Sequence, residues 1–178
     1  MILRQRGQTY CLSRYQRPNQ FIAHPPLNRT IMNEDSYRFE KGPQTFYYEF
    51  YSDGPNGRIK KVIQYQQVSM DEEVFNLGFG DVDIETGVVD DLSISNNQDT
   101  RKVLITIAKT VLAFMQEHPN AIIMAKGSTP ARTRLYQMGI AQFWDEIDEM
   151  FEVKGLTNNE WQSFEKGINF EAFFIFKK

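Results

Sequence analysis

The stretch DTRKVLITIAKTVLAFMQEHPNAIIMAKGSTPARTRLY, residues 99–136, decides the fold. Val103, Leu104, Ile107, Ala108, Val111, Leu112 and Met115 recur at the spacing of one helical face. They predict a helix whose first turn Asn97 or Asp99 can cap and which Pro119 stops after His118. AIIMAK (Ala121–Lys126) is an apolar run of the kind a central strand needs. A second helix is predicted from Pro130 to about Glu149, broken near Gly139, with Thr129 as N-cap and proline at the favoured first position.

Upstream, the period is two rather than 3.6. TFYYEFYS (Thr45–Ser52) and RIKKVIQYQQV (Arg58–Val68) flank DGPNG, where Asn56-Gly57 suits positive φ, and so predict a β-hairpin. EVFNLGFGDVDIE (Glu73–Glu85) reads as a third strand, Gly78 and Gly80 marking a bulge or a close backbone approach. VVDDLSIS (Val88–Ser95) reads as a short fourth. FEVKGL and INFEAFFIF supply two last strands, expected to pair through a loop holding Trp161. The order β-β-β-β-α-β-α-β-β is that of one α+β domain: an antiparallel meander, then α-β-α-β-β.

Charge divides the chain. Residues 1–31 hold Arg4, Arg6, Arg14, Arg17 and Arg29 with no lysine and no acid, which leaves the remainder at −8. Together with RPNQ, HPPLN and a second methionine at Met32, this marks residues 1–31 as an appended arm or an upstream start, and residues 32–178 as the domain. A body at −8 argues against extended nucleic-acid binding, which needs a basic stripe. No apolar run approaches the ~20 residues of a membrane span, and no continuous apolar stretch near the N-terminus suggests a secretory signal. A single cysteine, Cys11, rules out an internal disulfide, so a cytoplasmic setting is expected.

Within that acidic body, cations gather near the two predicted helix starts. Lys126, Gly127, Ser128 and Thr129 lead into Arg132 and Arg134, while Arg101 and Lys102 open the first helix after Asn96 and Asn97. A helix start offers N–H groups and about half a positive charge, so these residues can form an anion pocket for a small anionic ligand or an acidic protein segment. The alternative is that Ser, Thr and Pro cap while the arginines are solvated or pair with Asp145 and Glu146. Asp81, Asp83 and Glu85, with Asp90 and Asp91 beyond, could gather carboxylates for Mg²⁺ or Ca²⁺, or form the solvated face of a hairpin. His24 and His118 stand apart from both groups, which disfavours zinc and a nucleophilic triad.

From Met32 to Lys178 the chain resembles a family of short, uncharacterised bacterial proteins. FGD (Phe79–Asp81), DDLSISNNQDTRKVL (Asp90–Leu104), GSTPARTRLY (Gly127–Tyr136) and INFEAF (Ile168–Phe173) carry that resemblance. The element order, with Ala131, Leu135, Tyr136 and Gly139 in the second helix, also resembles the GNAT acyltransferase fold. That resemblance implies acetyl-CoA as cofactor, Tyr136 as general acid toward the leaving thiolate and Arg101 and Lys102 at the phosphates. Asp81, Asp83 or Asp90 would be the base through water. SNNQDTRK departs from it, having no glycine where that fold has its glycine-rich pyrophosphate loop, and the two helices that follow the fold's first strand are missing.

Three readings follow: a regulatory or toxin–antitoxin-like binding module using the basic pocket, an acyl transferase, and a metal-dependent nuclease or phosphotransferase. A chain started at Met32 should melt within about 5 °C of the full chain, as scanning calorimetry can measure; a larger loss would show that residues 1–31 are part of the fold.

Overall fold

The computed structural model describes residues 2–5, 8–11, 35–42, 44, 46–69, 71–83, 85–90 and 95–178. Ile2–Gln5 (β1) and Gln8–Cys11 (β2) pair as a separate antiparallel ladder. Phe39–Lys41 (β3), Tyr47–Gly54 (β4), Gly57–Gln67 (β5) and Val74–Val82 (β6) form an antiparallel meander. Val89–Asp90 (β7) folds back onto the end of β6. Then come Thr100–Glu117 (α1), Ile122–Ala125 (β8), Pro130–Gln142 (α2), Trp144–Met150 (α3), Phe151–Thr157 (β9), Glu160–Ser163 (β10) and Ala172–Lys177 (β11). The order across the sheet is β10-β9-β11-β8-β6-β5-β4-β3, with β7 also on β6. Among the described strands β6 and β8 are the one parallel pair. Parallel neighbours need a crossover, and α1 provides it.

The two periodicities meet in one core. Tyr48, Phe50, Ile63, Tyr65, Phe75, Leu77, Ile123 and Phe173 alternate onto one sheet face and pack against Val103, Ile107, Val111 and Phe114 of α1 and Ile140 of α2. Phe114 stands at its centre, stacked on Tyr65 at 4.1 Å between ring centroids and edge-on to Phe46 and Phe75. Tyr65 bonds Thr110 Oγ1 at 3.0 Å, and burial pushes its phenol well above the ordinary range. On the other face Val74, Ile122, Met124, Leu156 and Phe174 cluster, with Trp161 stacked on Phe174. No helix among the described residues is long and apolar enough to cross a membrane.

Several boundaries differ from the sequence expectation. Positive φ in the β4–β5 turn falls on Gly57, at 88°, and not on Asn56. Of the predicted fourth strand, Val89–Asp90 is strand, while Asp91 to Ile94, like Thr45, Ile84 and Met32, lie outside the described residues. The second helix runs through Gly139 and breaks at Phe143 instead. A Cβ at Gly139 would meet the Leu104 methyls at 3.0 and 3.2 Å, so this glycine lets α2 cross α1 closely. Trp161 sits on a strand, not in a loop. Asn158 and Asn159, both left-handed at φ 49° and 62°, turn β9 into β10, and β11 takes the opposite edge of β9.

Truncating Phe114 to Ala should cost about 3–5 kcal/mol of unfolding free energy, read from urea titration at unchanged m-value.

Candidate functional site

Parallel pairing of β6 with β8 ends at Leu77 and Ala125, whereas β6 continues to Val82. In the gap between β6, the start of α1 and the start of α2 lies a cleft open to solvent. Such gaps beside the carboxyl end of a parallel strand are where open sheets most often hold ligands. Asp81, Asn96, Asn97, Arg132 and Tyr136 line it, with Lys61, Ser95, Asp99 and Thr100.

Lys61 is the residue that charge counting missed. It is the direct cross-strand partner of Asp81, its side chain 4% exposed, and its Nζ donates to Asp81 Oδ1 at 2.5 Å and to Ser95 Oγ at 2.8 Å. In RIKKVIQY, Lys61 stands in phase with the buried Ile63 and Tyr65, and a lysine in the inward register is a signal. A buried ion pair adds little over an apolar pair, but either charge alone would be strongly destabilising.

Arg132 is also buried, and its Nη1 donates to the Phe79 carbonyl at 2.7 Å, past the last β8 pair. It does this from the first turn of α2, which is otherwise closed on itself. Thr129 Oγ1 accepts from Arg132 N, and Thr133 Oγ1 accepts from Gly127 N. A side chain at Gly127 would run into Arg132 and Thr133, so glycine is required where the strand meets the helix.

The start of α1 is built differently. Asp99 occupies its N-cap position but makes no side-chain cap bond, because its Oδ2 accepts from Tyr37 OH at 2.8 Å and Ser52 Oγ at 2.5 Å. Asn97, 2% exposed, accepts from Asn56 N and donates to Ser52 Oγ and the Gly57 carbonyl. It clasps the β4–β5 hairpin to the loop before α1. Neither of the two capping candidates therefore caps α1 with its side chain.

The other nominated residues do not line the cleft. Arg134 is exposed on α2, and Arg101 lies over the Phe143 ring at 4.9 Å. Lys102 meets Asp35 at 3.1 Å and the face of Tyr37. Lys126 and Ser128 are half-buried at the β8–α2 junction. Asp83 lies in the exposed turn after β6, where the Thr86 and Glu85 N–H groups bond its Oδ1; the Thr86 bond foremost holds its carboxyl below the usual range. Asp90 pairs with Asp81 across β6 and β7, and the Asp90 carbonyl and a Val89 methyl lie close enough to Gly80 that a Cβ there would sit 2.8 and 2.7 Å away. Among the described residues no three His, Cys, Asp or Glu side chains gather as a metal would need.

Residues 33–178 match the model of DUF6934, a family of unknown function. The chain belongs to that family. The DUF6934 match spans the meander, the three described helices and the cleft, and begins one residue after Met32. No curated protein and no solved structure matches the chain.

In this DUF6934 domain, Asp81→Asn should cost about 3 kcal/mol by stranding the Lys61 charge. Adding Lys61→Met and changing Asp81 to Leu should restore most of it, as a double-mutant cycle of denaturation midpoints would show.

Proposed function

We propose that the domain is a binding or regulatory module that takes a small anionic ligand at the start of α1. The observation that carries this reading is the α1 N-terminus, which lies against the cleft without a side-chain cap because the Asp99 carboxylate is committed to Tyr37 and Ser52. The formal charges of the lining balance, Lys61 and Arg132 against Asp81 and Asp99. Attraction for an anion then comes chiefly from the helix end, about half a unit charge.

A second reading is acyl transfer from acetyl-CoA. The strand order supports it, since a parallel β6–β8 pair parts beside a helix start, and Tyr136 lies in the wall of that opening. Against it, Arg132 already holds the β6 carbonyl at Phe79 where the strands part.

Inorganic phosphate should move the amide resonances of residues 97–102 in a ¹⁵N titration. Thr100→Glu places a carboxylate in the first turn; it should abolish those shifts while raising stability by about 0.3–1 kcal/mol. Unmoved amides in the parent protein would sink the anion site. Millimolar acetyl-CoA leaving both spectrum and melting temperature unchanged would sink the transferase.

A further inference from the structure

Beyond the polar cleft, between α1, α2, α3 and the sheet, lies a second cavity, a chamber partly open to solvent. Of the residues that line it, only Tyr136 carries a polar side-chain atom. Leu77 and Val153 come from the sheet, Ala108 and Val111 from α1, Ile140 from α2 and Ile147 from α3. Water gains nothing in such a space, because it needs two to four polar partners, whereas an apolar group entering it is favoured.

The chamber is continuous with the anion site in its walls. Leu104, Ile107 and Tyr136 line both cavities. Along α1 the polar cleft is bounded from Asp99 to Ile107 and the chamber from Leu104 to Val111, so the two follow one helix from its charged end inward. Residues three and four apart share a helix face, which places Leu104, Ile107, Ala108 and Val111 as a single apolar track. Tyr136, buried on α2, is in the wall of both. The lining thus changes from polar at the N–H end of α1 to aliphatic within about three turns.

We infer that the ligand is a single-chain amphiphile, with an anionic head at the α1 N-terminus and an aliphatic tail in the chamber. This rests on the anion reading of the cleft and adds the tail. Tyr136 and Ile107 form the threshold the chain crosses, and the chamber beyond them selects for aliphatic chemistry.

The test compares inorganic phosphate with ethyl, butyl, hexyl and octyl phosphate, each titrated as monomer below its aggregation concentration by NMR and calorimetry. Affinity should rise by about fourfold for each methylene until the chamber is filled. Octyl phosphate, but not inorganic phosphate, should shift the methyl resonances of Val111, Val153 and Ile147. Ala108→Phe fills the chamber from a half-buried position and should remove the chain-length gain while phosphate binds as before. Should that variant fail to fold, the methyl shifts of the parent protein decide. Phosphate binding with no gain across the alkyl series overturns the tail and leaves the anion site standing. Octanol binding as tightly as octyl phosphate overturns the anion site, and the amphiphile with it.

Discussion

β6 outruns its parallel neighbour, and much of the molecule is arranged around that mismatch. After Leu77 the strand has no β8 beside it, yet its backbone carbonyls on that edge still need partners. Arg132 supplies one, reaching Phe79 from a helix that starts only because Gly127 allows the chain to turn tightly under Thr133. A buried guanidinium, a left-open gap and a glycine at the strand end are therefore consequences of one constraint. The cleft exists because two strands that pair for a few residues then part, and its polar lining exists because a parted strand cannot be left unsatisfied.

A second set of contacts holds the opposite wall. The hairpin tip at Pro55–Asn56 is tied by Asn97 to the loop before α1, and Ser52 is shared between Asn97 and Asp99. The left-handed φ of Asn96 and Gln98, at 45° and 57°, bends that loop around the buried Asn97 side chain. Strained residues of this kind persist where surrounding contacts over-determine them. Here the surrounding contacts are the hairpin bonds themselves. Drawing Asp99 toward Tyr37 and Ser52 has the further effect of leaving the helix end without its customary carboxylate, so the feature that could attract an anion is a by-product of how the hairpin is anchored.

Periodicity made the core legible. Val103, Leu104, Ile107, Val111, Leu112 and Met115 are buried as a single helical face should be, and Ile63, Tyr65, Phe75 and Leu77 alternate inward as strands should. The caps at Thr129 and Pro130 were equally readable, because a first turn is a local affair. Site residues were less so. Counting charge nominated Arg101, Lys102 and Arg134, which the fold places over Phe143, beside Asp35 and in solvent. It passed over Lys61, whose only mark was its phase in a strand. A count of cations records how many there are, while burial depends on which face each one occupies.

By itself, then, the sequence determined the α+β class, the helix–strand–helix order and most of the buried face, since these depend on spacing within a segment and on the solvation of side chains. The tertiary structure alone decided that Asp81 faces Lys61, that Arg132 turns inward while Arg134 turns out, and that β11 pairs between β8 and β9. Those outcomes depend on strand register and on where one strand ends relative to its neighbour. Both are set by contacts between residues far apart in the chain, which no local pattern encodes.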